Sequence, residues 1–305
     1  MIVRWALVDE NGERAAWERV ARRVVDAQLT VVVEHLEQLT TRLDECDAIV
    51  YSGRFAADAT RWSQLAQLGK HWLLGEPPAS APTDIRQASE QFRNAGLRLI
   101  TRGAARCLPS NRAVFDAVRS GKLGIPGLVR IHRWQPGGGG SLVELMHADV
   151  DLACWLMGSR PTVVFARGVT NSERSQDFDY VQVHLGFVGD AMAMIDVSRQ
   201  LPTGDDYYSL SVIGSTGAAY ADDHHNQQLL FAGGYPVSLR TEQGDRQRLA
   251  RLQHFLATIR DPGTYAAEVL DARRTLDVLS AVAESIAIDR AVQLMPEKVS
   301  TEVSS

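Results

Sequence analysis

The sequence predicts an α/β protein in two parts. A doubly wound parallel sheet spans about residues 1–102, and an α+β domain with an open, mostly antiparallel sheet spans 103–296. Three observations carry this reading. Over the first hundred residues, short apolar runs alternate with helical periodicity, as strands joined by crossover helices do. Beyond residue 160, strand-like runs follow one another with only turn residues between them, as in an antiparallel sheet. Two long helical patterns, at about 245–260 and 266–290, then close the chain before a polar, frayed tail, 297–305.

Val3, Trp5, Ala6, Leu7 and Val8 form the first strand-like run, which breaks at Asp9-Glu10-Asn11-Gly12. Trp17, Val20, Ala21, Val24 and Val25 follow at helical spacing. AQLTVVVEHL reads as a buried strand ending at Glu34, and CDAIVYSG, KHWLLGE and GLRLIT as three more, with helices in ADATRWSQLAQLG and PTDIRQASEQFRNAG. After residue 102, NRAVFDAVRSGKLG is a helix closed by glycine, and LVRIHRW is a strand running into Pro136 and Gly137–Gly140. Those glycines lack the lysine and hydroxyl of a phosphate loop and read as a hinge. A helix follows from about Ser141 to Met157, stopped by Gly158. TVVFARGV, DYVQVHLGFV, AMAMIDVSRQL, YYSLSVIGS and GAAYAD are the strands of the second sheet.

Composition excludes several classes. The chain has 305 residues, 45% hydrophobic and 23% charged, which is ordinary for a globular protein. A net charge of -5 and the absence of long like-charge runs argue against nucleic-acid binding. Cys46, Cys107 and Cys154 have neither disulfide nor zinc spacing, which fits a reducing cytoplasm. The first apolar run, about six residues, is too short for a signal-peptide core, and nothing approaches the roughly 18 apolar residues of a membrane span.

Five phrases carry a family resemblance. GKHWLLGEPP, RCLP, SGKLGIPGLVR, GGGGSLVELMHADVDLACWLMG and VIGSTGAAYAD follow the order of G-K-H-x-x-x-E-K-P, R-F-x-P, S-G-x-L-G-x-P and a glycine run before a D-x-x-x-H-x-x-D helix ending W-L-x-G. The chain resembles the Gfo/Idh/MocA oxidoreductases over nearly its whole length. The resemblance implies an N-terminal Rossmann domain for NAD or NADP, a sugar-like ligand in the cleft, and a homo-oligomer formed through the C-terminal sheet. Met192-Ala193-Met194-Ile195, apolar on both faces, agrees with a covered sheet.

The departures fall on functional positions. Glu76 stands at the lysine of E-K-P, with Gly75 at the preceding glutamate. The family's acid–base histidine falls on Ala148, while His147 is one residue early, turned by about 100° on a helix. Asp151 matches the family's aspartate and Glu144 its first acidic position. Glu76, Glu144, His147 and Asp151 are therefore the candidate catalytic residues. In the opening turn, G-x-G-x-x-G is replaced by Asp9, Asn11 and Arg14. The glycines normally permit the tight turn, the approach of pyrophosphate and close helix packing. A carboxylate about 4 Å from a phosphate costs on the order of 4 kcal/mol at an effective dielectric near 20, about a thousandfold in affinity. Asp9, Asn11, Gly12 and Glu34 are the candidate cofactor contacts, and weak NAD(P) binding is expected. Glu34 ends the second strand, where an acid holds the adenosine ribose, or where a solvated boundary residue stands.

Glu144, His147 and Asp151, at i, i+3 and i+7, share one helix face. Such a face suits a proton relay or a divalent metal, or a polar boundary in which His147 bonds Asp151. Asp222, Asp223, His224 and His225 invite a metal but read as a solvated turn, and Lys70 and His71 as structural. The leading expectation is a non-redox or weakly cofactor-binding homologue, a binding subunit or a partner of an active relative. The alternatives are an active NAD(P)-dependent oxidoreductase of a sugar or polyol and, more weakly, metal-assisted chemistry at the cleft helix.

Overall fold

The computed structural model describes residues 2–75, 78, 80–101, 103–134, 142–170, 178–199, 207–222, 227–231, 237–239 and 244–295. The first apolar run is β1 (Val3–Asp9), followed by α1 (Arg14–Ala21), β2 (Ala27–Val33), α2 (Leu36–Leu39) and β3 (Ala48–Ser52). Next come α3 (Ala59–Gln67), β4 (His71–Leu74), α4 (Pro82–Asn94) and β5 (Leu99–Ile100). The five strands form one parallel sheet in the order β2-β1-β3-β4-β5. Successive residues of a strand point to opposite faces, so a sheet covered on both sides needs apolar residues at nearly every position. Ala6, Val8, Ile49, Trp72 and Leu74 pack against Trp62 and Leu65 of α3 and Ala88 and Phe92 of α4. Val3, Trp5, Leu7, Val50 and Leu73 pack against Trp17 and Val20 of α1 and, from far along the chain, Leu252, Phe255 and Leu256.

α1 ends earlier than its sequence pattern. Bonds from Arg23 N–H to the Val20 carbonyl and from Val24 N–H to the Ala21 carbonyl tighten its last turn, leaving Val25 exposed.

The second sheet begins after α5 (Pro109–Arg119) with β6 (Pro126–Trp134), then α6 (Leu142–Leu145) and α7 (His147–Met157). β7 (Val163–Val169), β8 (Tyr180–Gly186), β9 (Met192–Ser198), β10 (Tyr207–Gly214) and β11 (Ala218–Asp222) follow. β12 (Gln227–Phe231), β13 (Val237–Leu239), α8 (Asp245–Arg260), α9 (Pro262–Ile288) and β14 (Val292–Gln293) complete it. Nine strands run in the order β13-β12-β11-β10-β6-β9-β8-β7-β14. Among the described strands of this sheet, only the central β6–β9 pair is parallel. Val129, Ile131, Val183 and Ile195 on one face pack under Val114 of α5, Val150 of α7 and Val282 of α9. Among the described residues no helix packs on the other face, which carries His132 and Asp196 at its centre and exposed Met192 and Ile213.

Several described elements differ from the sequence reading. The helix expected over 141–157 is two pieces, α6 and α7, joined at Met146. α9 starts at Pro262 because the Asp261 carboxylate accepts the N–H groups of Gly263 (3.1 Å) and Thr264 (2.9 Å), an N-cap followed by proline at the first helical position. Strands β12, β13 and β14, the last two at the sheet's edges, have no counterpart in the sequence reading. Gly137–Gly140, Asp223–His225 and the tail lie outside the described residues, as does Glu76. No described helix is long and apolar enough to cross a membrane.

Candidate functional site

The turn after β1 is built on Asp9. Its Oδ1 accepts the Glu13 N–H (2.9 Å) and its Oδ2 the Arg14 N–H (2.7 Å). α1 begins at Arg14, so these are donors at the helix N-terminus that have no intrahelical acceptor. Such N–H groups bind the pyrophosphate in a dinucleotide turn. Here a carboxylate of the chain itself, only 8% exposed, takes that place. The chain passes through Gly12 at φ +71°, where a Cβ would meet nothing within 4 Å, so glycine is needed there for its conformation rather than for space.

Two further acids are fixed around the turn. The Tyr51 hydroxyl donates to Glu10 Oε2 (2.5 Å), and burial, reinforced by Glu10, pushes the Tyr51 phenol well up. Glu13 Oε2 accepts from the Ser52 hydroxyl (2.8 Å), while Glu13 Oε1 pairs with Arg248 of α8. Burial opposes ionisation of Glu13, but the bonds from Arg248 and Ser52 outweigh it and hold the carboxyl below its usual range. α8 is thereby tied to the opening turn.

Beside the turn lies a cavity of about 850 Å³, lined by Asp9, Glu10, Gly12, Arg14, Val32, Val33, Glu34, His35, Gln38 and Arg42. The structure thus brings Asp9, Gly12 and Glu34 together, whereas Asn11 does not line the cavity. Gln38 Oε1 accepts the N–H groups of Glu34 (2.9 Å) and His35 (3.0 Å), fixing the end of β2. Arg14 is paired with Glu18 (2.7 Å) and Arg42 with Glu45 (2.6 Å).

α7 carries its acids inward. Asp151 is fully buried, and Arg106, in the turn Ala105–Cys107, grips both its oxygens (2.7 and 2.8 Å). Thr275 of α9 donates to Oδ1 as well (3.2 Å), and Arg106 also reaches Asp271 (2.8 Å). Burial works against the Arg106 charge, but Asp151 and Asp271 outweigh it and keep the guanidinium ionised. Asp149, also fully buried, is held bidentately by Arg133 of β6 (2.7 and 2.6 Å). His147 is buried too. Burial pushes the Cys154 thiol, further along α7, up to about 12. The backbone of Glu144 belongs to α6, and its side chain lies outside the described residues. Among the described residues, no group of three or more His, Cys, Asp or Glu side chains is placed to hold a metal ion.

Sequence reasoning singled out Asp151 and missed Asp149, Arg106 and Arg133. The signal was available: two acids within an otherwise apolar helix require cationic partners if the helix is buried.

The end of β4 explains Gly75. A Cβ there would lie 2.8 Å from the Tyr51 carbonyl oxygen, which already accepts the Gly75 N–H (2.6 Å). Arg251 of α8 donates to the carbonyls of Leu74 and Gly75, fixing the point from which the segment bearing Glu76 departs. Lys70 donates to the Cys46 carbonyl (2.7 Å), and His71 Nδ1 accepts the Arg98 N–H (3.0 Å). Burial and nearby Arg98 lower the His71 pKa, as a neutral acceptor requires. Both residues are structural ties.

Residues 112–220 match the family model of the GFO/IDH/MocA C-terminal domain. This stretch is therefore a C-terminal domain of the Gfo/Idh/MocA type. The chain is 29% identical to an uncharacterized oxidoreductase of Bacillus subtilis, over 59% of this chain and 56% of that protein. It is also 29% identical to a myo-inositol 2-dehydrogenase of Thermotoga maritima, over 64% of this chain and 60% of that one. The chain therefore spans under two thirds of the length of these curated relatives. An oxidoreductase of Agrobacterium radiobacter, solved with NAD+, L-tartaric acid and magnesium, shares the fold at a TM-score of 0.79 and 15% identity, with 96% of this chain and 98% of that chain covered.

Proposed function

We propose that this chain is a Gfo/Idh/MocA homologue without a working pyrophosphate grip, which binds NAD or NADP weakly and serves as a non-redox binding subunit or partner of an active relative. The observation that carries this is Asp9, whose carboxylate holds the helix N–H groups a pyrophosphate needs. The residues present do not fit the dinucleotide at this point. A diphosphate entering the turn would have to displace a buried carboxylate and then lie beside its charge. The ligand class we assign to the cleft is a small sugar-like molecule, by kinship with the inositol dehydrogenase above.

An active oxidoreductase is the second reading. Glu34 lining the cavity at the end of β2 favours it, since an acid there suits a ribose. In that reading Glu76, Glu144 or His147 takes over the proton transfer. Asp151, locked by Arg106, would act by positioning α7 rather than by moving a proton.

Assembly belongs to the same proposal. The uncovered face of the second sheet, with Met192 and Ile213 exposed on it, suits a second copy of the chain. A monomer by light scattering at micromolar concentration would count against this. Free Cys46, Cys107 and Cys154 suit a reducing compartment such as the cytoplasm.

Titration of the purified protein with NADH and NADPH, followed by calorimetry, tests the main reading. Affinity in the millimolar range or weaker is expected, and micromolar binding would overturn it.

A further inference from the structure

We infer that the cleft between the end of α4 and the first turns of α9 is a binding site for a small phosphomonoester with a compact apolar body. The inference is independent of the reading above, because the two places lie at opposite ends of the parallel sheet. The turn at 9–12 leaves the C-terminal end of β1, whereas Arg98, in the wall of the cleft, immediately precedes β5.

A ladder of ion pairs joins α4 to α9, and it stops one rung short. Arg86 pairs with Asp277 (2.8 Å), and four residues along α4 Glu90 pairs with Arg273 (3.0 Å), four residues back along α9. The next position on that face of α4 is Arg93, and its counterpart by register on α9 is Leu270. Leu270 is 46% exposed, and no carboxylate among the described residues pairs with Arg93. The acids of α9 nearest in sequence are held elsewhere, Glu268 by His254 (3.1 Å) and Asp271 by Arg106 (2.8 Å).

The cavity at the missing rung has a volume of about 350 Å³, the size of a small-ligand site. Arg93, Arg98 and Arg273 line it, and no carboxylate among the described residues does. Arg98 is held in place, its Nε donating to the Thr258 carbonyl (2.8 Å) and its guanidinium lying over the Tyr265 ring, 4.5 Å from the centroid. Its hydrogen bonds go to carbonyls, so its charge, like that of Arg93, has no counter-ion among the described residues. Glu90 answers Arg273, which leaves the charges of Arg93 and Arg98 to be balanced. A phosphomonoester carries nearly two negative charges on one group at neutral pH, and its oxygens match the guanidinium fork. Tyr265, Val269 and Leu270 supply an apolar wall for the rest of the molecule.

The test is calorimetry of the full chain at low salt with phenyl phosphate, and with inorganic phosphate, benzoate and benzyl alcohol as partial matches. Submillimolar binding of phenyl phosphate is expected, with about tenfold weaker binding of inorganic phosphate and of benzoate and none of benzyl alcohol. Added salt should weaken the binding, since charge carries it. Arg93→Gln should weaken phenyl phosphate about tenfold or more at an unchanged melting temperature, because this exposed side chain has no partner among the described residues to lose. Leu270→Glu, which completes the ladder with a carboxylate opposite Arg93, should weaken it at least as much without destabilising the fold. Arg119→Gln, at an exposed arginine of α5 outside the cavity, should change nothing. The inference is overturned by the absence of saturable phenyl phosphate binding in the millimolar range, by inorganic phosphate or benzoate binding as tightly, or by binding indifferent to Arg93→Gln and Leu270→Glu. None of these outcomes touches the reading of a lost pyrophosphate grip, which the NADH titration tests by itself.

Discussion

At the turn before α1, a buried aspartate binds two backbone N–H groups; on α7, two buried aspartates bind arginine side chains. The difference lies in what is left behind when the carboxylate goes. Without Asp9, two N–H groups at a helix end remain beside an open cavity, where water or a ligand anion can satisfy them. Without Asp151, the Arg106 guanidinium keeps only part of its counter-charge in a place water does not reach freely. Asp9 is therefore a replaceable ligand of its own turn, and Asp151 is half of a clamp. The first kind of site can gain or lose a function at small structural cost. The second fixes α7 against β6, α9 and the turn Ala105–Cys107, whatever the cleft does.

The largest expected effect comes from breaking the clamp. Arg106→Ala should destabilise the protein by about 3–5 kcal/mol in urea unfolding, because Asp151 and Asp271 would be left without it. A loss below about 1 kcal/mol would remove the contrast, since exposed pairs cost that little.

Gly75→Ala comes next. The new Cβ would press on the Tyr51 carbonyl at 2.8 Å, and a backbone atom cannot rotate away, so about 1–3 kcal/mol should be lost. Equal stability of variant and wild type would mean that β3 and β4 can separate there.

Asp9→Ala should cost only what an N-terminal cap is worth, about 0.5–2 kcal/mol. If it cost as much as Arg106→Ala, the turn would be a clamp too and the comparison would collapse.

How much of this the sequence discloses depends on whether a residue's partner is local. β1, β3 and β4 are legible because a sheet covered on both faces writes an unbroken apolar run such as Trp5-Ala6-Leu7-Val8. β12 begins with Gln227-Gln228, and the edge strand β14 is two residues long, so neither carries an apolar period. Asp9 is legible as a departure from glycine. Its folding back onto the Glu13 and Arg14 N–H groups is a matter of turn geometry that residue types do not encode. Arg106 and Asp151 are 45 residues apart, and nothing local couples RCLP to the helix it grips. Seen from the sequence, Asp151 resembles a cleft residue, because an acid on a helix face looks the same whether its partner is a ligand or an arginine.

The smallest effect is acid sensitivity from the second sheet. Burial opposes ionisation of Asp196, but bonds from His132, Gln182 and Tyr180 outweigh it and hold the carboxyl below its usual range. The unfolded chain then binds this proton more readily than the folded one, so stability rises with pH in that range. The contribution is complete above about pH 4 and is lost as pH falls through the folded value. Melting temperatures from pH 6 to 3 should fall less steeply in Asp196→Asn than in wild type. Parallel profiles would mean that the cluster on the uncovered face is indifferent to acid.

The central claim is that a carboxylate of the chain occupies the anion position of the dinucleotide turn. Its most direct test is calorimetric titration of NADH into the wild-type protein and into the double variant Asp9→Gly, Asn11→Gly, which restores the first two glycines of the turn. The account predicts millimolar or weaker binding to wild type and a gain approaching a thousandfold in the variant, the ceiling set by one carboxylate–phosphate contact. Equal affinities in the two proteins, whether both tight or both weak, would contradict it.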